Sequence, residues 1–341
     1  MIAAPGPTPR AQERLLLLDP RAGRFRDARL AELPTLLRPG DLVVVNDAAT
    51  LPGSLPAVAP GGERVEIRLL GEAGAGQWRA VLFGEGDWHT RTEERPAPPV
   101  LGPGDTLRLD GLTATIFSVW YPAPRLVELR FDAEGGRLWS ALYRLGRPIQ
   151  YAHLAAGLAL SDVQTVYASR PWAAELPSAG RPLSWELLLG LKRRGVALAA
   201  VTHAAGVSST GDPTIDRALP LPERYEIPAE TVDAVGKARA ARGRVVAVGT
   251  SVVRALEGCA AAHDGRLVAG RGTTDLVVSP GFVPQVVDGL LTGFHEPGSS
   301  HLGLLRAFVP PPLLDAAYSH AEAQGYRGHE FGDSNLILAA A

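Results

Sequence analysis

Two hydrophobic patterns alternate along this chain. Residues 42–45 and 196–201 are apolar at every position, and residues 244–248 nearly so, as expected of strands covered on both faces. Residues 185–194 and 230–242 read as helices, each stopped by a glycine, Gly195 and Gly243. Helix followed by wholly apolar strand implies a mainly parallel sheet with helices on its faces. Residues 14–19 and 41–46, with a short helix over 30–37 between them, open the chain in the same manner.

From Pro52 to about Gly146 the pattern changes to short alternating segments at 64–70, 77–83, 106–109, 113–120 and 125–131, punctuated by Gly and Pro. Val65, Ile67 and Leu69 set against Glu66 and Arg68 give the period of two of a half-buried antiparallel strand. Such a series predicts a small barrel or sandwich, and residues 133–146 predict a helix leading out of it. The expected fold is α/β: a large domain with a mainly parallel sheet (residues 1–52 and 147–341) carrying an inserted small antiparallel β-barrel domain (residues 53–146).

Composition narrows the chemistry. The chain has 341 residues, 46% of them hydrophobic, and a net charge of −2, which excludes disorder and a nucleic-acid grip through overall charge alone. One cysteine, Cys259, rules out an internal disulfide, a four-thiolate zinc site and a three-thiolate cluster. No apolar run reaches membrane length and none of signal-peptide type opens the chain, so a cytoplasmic location and no membrane association are expected. Walker, nucleophile-elbow and Gly-x-Gly-x-x-Gly motifs are missing, which removes ATPase, α/β-hydrolase and dinucleotide readings.

In a parallel sheet ligands gather at the carboxyl ends of the strands. After residues 196–201 comes Thr202-His203-Ala-Ala-Gly206. After residues 244–248 comes Gly249-Thr250-Ser251, running into a helix over 252–257. A hydroxyl there caps the helix or, together with Arg254, forms an anion site, and His203 is either a packed or a catalytic histidine. Between Gly236 and Arg254 stand Lys237, Arg239, Arg242, Arg244 and Arg254 with no acid, which suits either a solvated helix face or a phosphate-binding patch. Two further polar clusters stand at residues 294–301 and 326–335. The first holds His295, Glu296 and His301 without the helical spacing of a zinc motif, so no metal is expected.

The order of blocks resembles one family along nearly the whole chain, the S-adenosylmethionine:tRNA ribosyltransferase-isomerases of queuosine biosynthesis. The blocks are Arg14-Leu-Leu-Leu-Leu-Asp19, Arg38-Pro-Gly-Asp-Leu-Val-Val-Val-Asn46, Val163-Gln-Thr-Val-Tyr-Ala168, Pro177-Ser-Ala-Gly180, Gly243 through Glu257, Ser279-Pro-Gly-Phe282, Val287-Asp288, Phe294-His295 with Pro297, and Tyr326-Arg327 with Gly332-Asp333. The resemblance implies a monomeric enzyme moving and isomerising the ribosyl part of S-adenosylmethionine onto 7-aminomethyl-7-deazaguanine in tRNA. Epoxyqueuosine forms, and adenine and methionine leave. It further implies acid, base or orienting roles for His203, His295 and Asp333. Thr250, Ser251 and Arg254 would hold the methionine or ribose end, Gln164, Thr165 and Tyr167 would line the pocket, and tRNA would meet Lys237, Arg239 and Arg242.

Three loops depart from the family pattern. Pro182 stands at a histidine position, and residues 218–223 keep Glu223 but lack two histidines. Residues 293–300 lose an amide and a cation and gain Glu296. A relative using S-adenosylmethionine on another base or small molecule, or a non-catalytic tRNA-binding relative, is the alternative.

Overall fold

A computed structural model of the chain describes residues 1–7, 13–74, 76–207, 209–278 and 281–339, which leaves Ser279 and Pro280 of the quoted blocks outside the described residues. Its centre is the strand Leu42–Asn46, buried at all five positions. Ala197–His203 lies parallel on one side, with Ala197 opposite Leu42, and Val245–Val248 parallel on the other. Gly289–Gly293 continues the parallel set. Beyond it the pairing changes: Ser334–Leu338 runs antiparallel to Gly289–Gly293, Arg14–Asp19 parallel to Ser334–Leu338, and Arg24–Arg29 antiparallel at the edge. On the opposite margin Glu223–Ile227 and Gly270–Thr274 add two antiparallel strands, completing nine. The expected parallel sheet is therefore its core, with mixed margins.

Alternate residues of the central strands serve two cores. Leu42, Val44, Val245 and Ala247 pack with the helix Thr250–Ala262, whereas Val43, Val45, Val246 and Val248 pack with the helix Trp185–Arg193. This is the period-two geometry of a strand with both faces covered, and it explains why these segments are apolar throughout. The Trp185–Arg193 helix starts at Ser184, whose Oγ accepts the Leu187 N–H at 3.2 Å.

The six strands Ser54–Val58, Arg64–Gly74, Gln77–Phe83, Thr106–Leu109, Leu112–Val119 and Leu126–Phe131 close into an antiparallel barrel. Val65, Ile67 and Leu69 fill it together with Trp78, and the helix Gly135–Leu145 covers one end with Leu138 and Leu142. Chain entry and exit are held together by two 2.9 Å hydrogen bonds, Ser54 N–H to the Arg147 carbonyl and the reverse.

One expectation needs correction. The strand through Glu66 and Arg68 is not half-buried, because these residues are only 8% and 2% exposed. Arg95, reaching in from the segment after Gln77–Phe83, puts Nη1 2.6 Å from Glu66 Oε2, while Arg68 Nε donates to Oε1 at 2.9 Å and Ser54 Oγ at 2.6 Å. The alternation separates two buried faces, one apolar and one ionic. Among the described residues no helix is long and apolar enough to cross a membrane.

Candidate functional site

The four parallel central strands deliver their last residues to one end of the sheet. Asn46, ending the central strand, fixes its neighbour: its Oδ1 accepts the His203 N–H at 2.9 Å and its Nδ2 donates to the His203 carbonyl at 3.0 Å. His203 is thereby held by its backbone while its ring remains uncommitted. The ring is 0% exposed, yet neither nitrogen has a hydrogen-bond partner among the described residues.

Glu223 and Arg254 complete the cluster. Glu223 Oε2 stands 3.2 Å from His203 Nε2, although the ring is not aligned for a hydrogen bond, and 2.6 Å from Arg254 Nη1. The Gly206 N–H donates to the other carboxylate oxygen at 2.8 Å, and Arg254 Nε donates to the Leu276 carbonyl at 3.2 Å. Burial pushes the Glu223 carboxyl above its ordinary range even with Arg254 alongside. Burial, and then the Arg254 charge, push His203 down to about 3. At neutral pH His203 is therefore an uncharged imidazole.

A cleft of about 200 Å³ opens beside this cluster between the barrel and the sheet, lined by Gly71, Glu72, Ala204, Gly206, Pro220 and Glu223 among others. Concave sites between structural units are where ligands of this size settle.

The helix Thr250–Ala262 begins at the same end. Its N-cap is Gly249, at φ 90°, with no side-chain cap hydrogen bond, which corrects the expectation that a hydroxyl closes this end. Thr250 Oγ1 lies 3.0 Å from His301 Nδ1, and Ser251 Oγ takes a 3.4 Å contact from Asn46 Nδ2. Neither hydroxyl satisfies the first N–H groups, so these remain available to an anion. His301 in turn stacks on His295, 5.1 Å between centroids, and His295 Nε2 sits 3.0 Å from Thr292 Oγ1. Burial lowers both rings, His295 to about 3 with help from the charges of His301 and His329, and His301 to about 4 with help from Arg254.

The remaining expected residues fall in distinct places. Gln164 bonds the Thr50 backbone twice, to its N–H at 2.9 Å and its carbonyl at 3.0 Å. Thr165 and Tyr167 pack against Gly180, where the Tyr167 hydroxyl leaves no room for any side chain. Asp333 accepts the Arg14 and Arg327 N–H groups, each at 2.9 Å, and so joins the start of one strand to a neighbouring turn. Lys237, Arg239 and Arg242 are exposed near the end of the helix Ala229–Ala240, which leads into the start of Val245–Val248. They lie at the amino ends of the parallel strands, opposite the cleft. The five-cation segment is divided: Arg244 pairs with Asp41 at 2.6 Å and Arg254 with Glu223, so three cations face solvent.

Sequence reasoning overlooked Asn46 and gave His301 and Glu223 no role. A polar residue closing a wholly apolar strand was the available signal for Asn46. For Glu223 the signal was its retention in residues 218–223 where the two histidines of the family pattern are lost, although only folding brings residues 203, 223 and 254 together.

Comparison with known proteins gives the family. Residues 1–337 match the family described as "Queuosine biosynthesis protein". An S-adenosylmethionine:tRNA ribosyltransferase-isomerase of Thermus thermophilus is 38% identical over 348 residues, covering 99% of this chain and 96% of its own length. One from Gloeobacter violaceus is 36% identical, covering 98% and 91%. The crystal structure of an S-adenosylmethionine tRNA ribosyltransferase from Thermotoga maritima superimposes with a TM-score of 0.55 at 27% identity, covering 99% and 96%. With a family match over nearly its whole length, this chain belongs to the queuosine biosynthesis proteins.

Proposed function

We propose that this chain works as an S-adenosylmethionine:tRNA ribosyltransferase-isomerase, with the cleft beside His203, Glu223 and Arg254 as its reaction site. S-adenosylmethionine is the co-substrate and tRNA bearing 7-aminomethyl-7-deazaguanine the acceptor. The observation that carries the site is a buried imidazole with both nitrogens unbonded, beside a raised carboxyl and a buried guanidinium. Buried polar atoms are seldom left without partners unless a ligand supplies them.

The chemistry fits the residues. The sulfonium acidifies the adjoining ribose C–H, and neutral His203 accepts that proton in a water-poor setting. Glu223, its carboxyl raised by burial, supplies a proton as adenine departs. Thr250 and Ser251, with the open N-terminus of their helix and Arg254, hold the methionine carboxylate or ribose end. His295 stands across from them, Gln164, Thr165 and Tyr167 shape the pocket wall, and Asp333 acts through the backbone it clamps. Lys237, Arg239 and Arg242 form an outlying contact for tRNA phosphates.

The test is calorimetric titration with S-adenosylmethionine, followed by an adenine-release assay with and without tRNA carrying the aminomethyl-deazaguanine. Release dependent on that tRNA is expected. Cofactor binding without tRNA-dependent release would move the acceptor elsewhere, and absence of binding would remove the enzymatic reading.

A further inference from the structure

Beside the reaction site, a second group of ligating side chains converges from three separate segments. His153 Nε2 lies 3.0 Å from Glu330 Oε2, and His329 Nε2 lies 3.1 Å from Glu296 Oε1. The two imidazoles lie 4.5 Å apart between centroids, and ligand atoms of His153, His329 and Glu330 all fall within 4.8 Å of one another. We infer that His153, His329 and Glu330 bind a single borderline divalent cation of the Zn²⁺ type, with Glu296 as the fourth ligand.

The donor set is the first reason. Two imidazoles with one or two carboxylates suit Zn²⁺ and its neighbours, whereas hard cations such as Mg²⁺ prefer oxygen alone. Geometry is the second. Tetrahedral Zn²⁺ at about 2.0–2.2 Å from each ligand puts donor atoms roughly 3.3–3.6 Å apart. The His153–Glu330 edge is already near that length, and the other edges of the His153, His329 and Glu330 group, none above 4.8 Å, close by at most about 1.5 Å of side-chain movement.

Access is the third reason. His153, Glu330 and His329 side chains are 20%, 25% and 26% exposed, enough for an ion to enter from solvent, while each belongs to a packed segment. The Tyr151 ring lies nearly parallel to that of His153, 6.3 Å between centroids, and its own hydroxyl is held by Glu175. Glu296, the carboxylate gained in the altered 293–300 loop, is the group that reaches His329. The ion would tie that loop to residues 328–331 and to His153, clamping the wall next to His295 without entering the ribosyl chemistry. Neither inference depends on the other.

Chelator-treated protein titrated with ZnCl₂ in a calorimeter at neutral pH should take up one ion per chain, and CoCl₂ should give the intense visible absorption of a four-coordinate site. His153→Ala and His329→Ala should each weaken Zn²⁺ binding by more than about 100-fold, the most that loss of an outer-shell partner costs. Glu296→Gln should weaken it less. Zn²⁺ should raise the thermal midpoint of the wild type but not of His153→Ala, and His153→Gln replaces that variant if its circular dichroism shows misfolding. Absence of saturable binding, or binding that survives His153→Ala with His329→Ala, would overturn the site and leave two His–carboxylate ion pairs.

Discussion

The barrel and the end of the sheet each bury a carboxylate among cations, and the two carboxylates respond oppositely. Glu66 receives Arg68, Arg95 and Ser54, and these partners hold it below the ordinary carboxylate range against the cost of burial. Arg95 also donates to the Gly84 and Gly86 carbonyls at 2.9 and 3.0 Å, so both Glu66 oxygens are met by cations, although Arg95 Nε and Arg68 Nη1 have no hydrogen-bond partner among the described residues. Glu223 has Arg254 and one backbone N–H, and burial wins, leaving it raised beside an imidazole with no partner. Burial of charge does not distinguish a structural cluster from a reactive one. The balance of partners does.

That contrast can be broken at either end. Glu223→Gln should lower tRNA-dependent adenine release per folded molecule by about 10²–10⁴-fold, as loss of a positioned acid or base does, and should also lower the urea midpoint because the buried Arg254 loses its carboxylate. A large stability loss with normal turnover per folded molecule would place Glu223 with Glu66 instead. Arg95→Ala should do the reverse, destabilising the protein by about 1–3 kcal/mol in urea melts because Glu66 loses one of its two buried cations while Arg68 and Ser54 remain. Adenine release measured below the transition should persist.

The histidines sharpen the comparison through pH. His203, His295 and His301 stand near 3, 3 and 4 when folded, against an ordinary 6.5, so between these limits the unfolded chain binds protons that the folded chain refuses. Their contribution to stability is complete above about pH 6.5 and is lost as pH falls toward 3, with a slope of at most about 1.4 kcal/mol per pH unit for each. His203→Asn should flatten that slope in denaturant melts followed from pH 7 to 4, and an unchanged slope would mean the ring is solvated.

Asp333→Asn is expected to cost about 1–3 kcal/mol, since one backbone N–H loses a charged acceptor. Should turnover collapse while the melt stays put, Asp333 would be reacting rather than clamping. The smallest effect is reserved for Lys237, Arg239 and Arg242 changed together to Ala, on the face opposite the cleft. A several-fold weaker tRNA affinity and a shallower salt dependence are expected, and an unaltered salt slope would remove that face from the contact.

How much of this the chain disclosed depended on what covers each segment. Strands 42–46 and 245–248 were legible because both faces are packed, and five of the six barrel strands because glycines punctuate them, whereas Ser54–Val58, with Pro56 inside it, was not. Arg24–Arg29, Glu223–Ile227 and Gly270–Thr274 stayed hidden because margins of a sheet carry charge and glycine where a core strand would carry Val or Ile. At the site, His203, Thr250 and Arg254 could be found because they follow recognisable strands. The pairing of Glu223 with them, or of Glu296 with His329, is a meeting of distant segments that spacing does not encode.

The reciprocal bonds between Ser54 and Arg147 give the barrel a single doorway into the rest of the chain. A module whose two ends meet at one rung can be exchanged for another without lengthening its host chain, provided the newcomer restores the apolar contacts that Phe83, Leu126 and Leu70 make with Ile215 and Val207. Recombination could thus replace the cover over this cleft while the sheet that carries His203 keeps its register, and chimaeras joined at residues 54 and 147 are a practical way to retarget the enzyme.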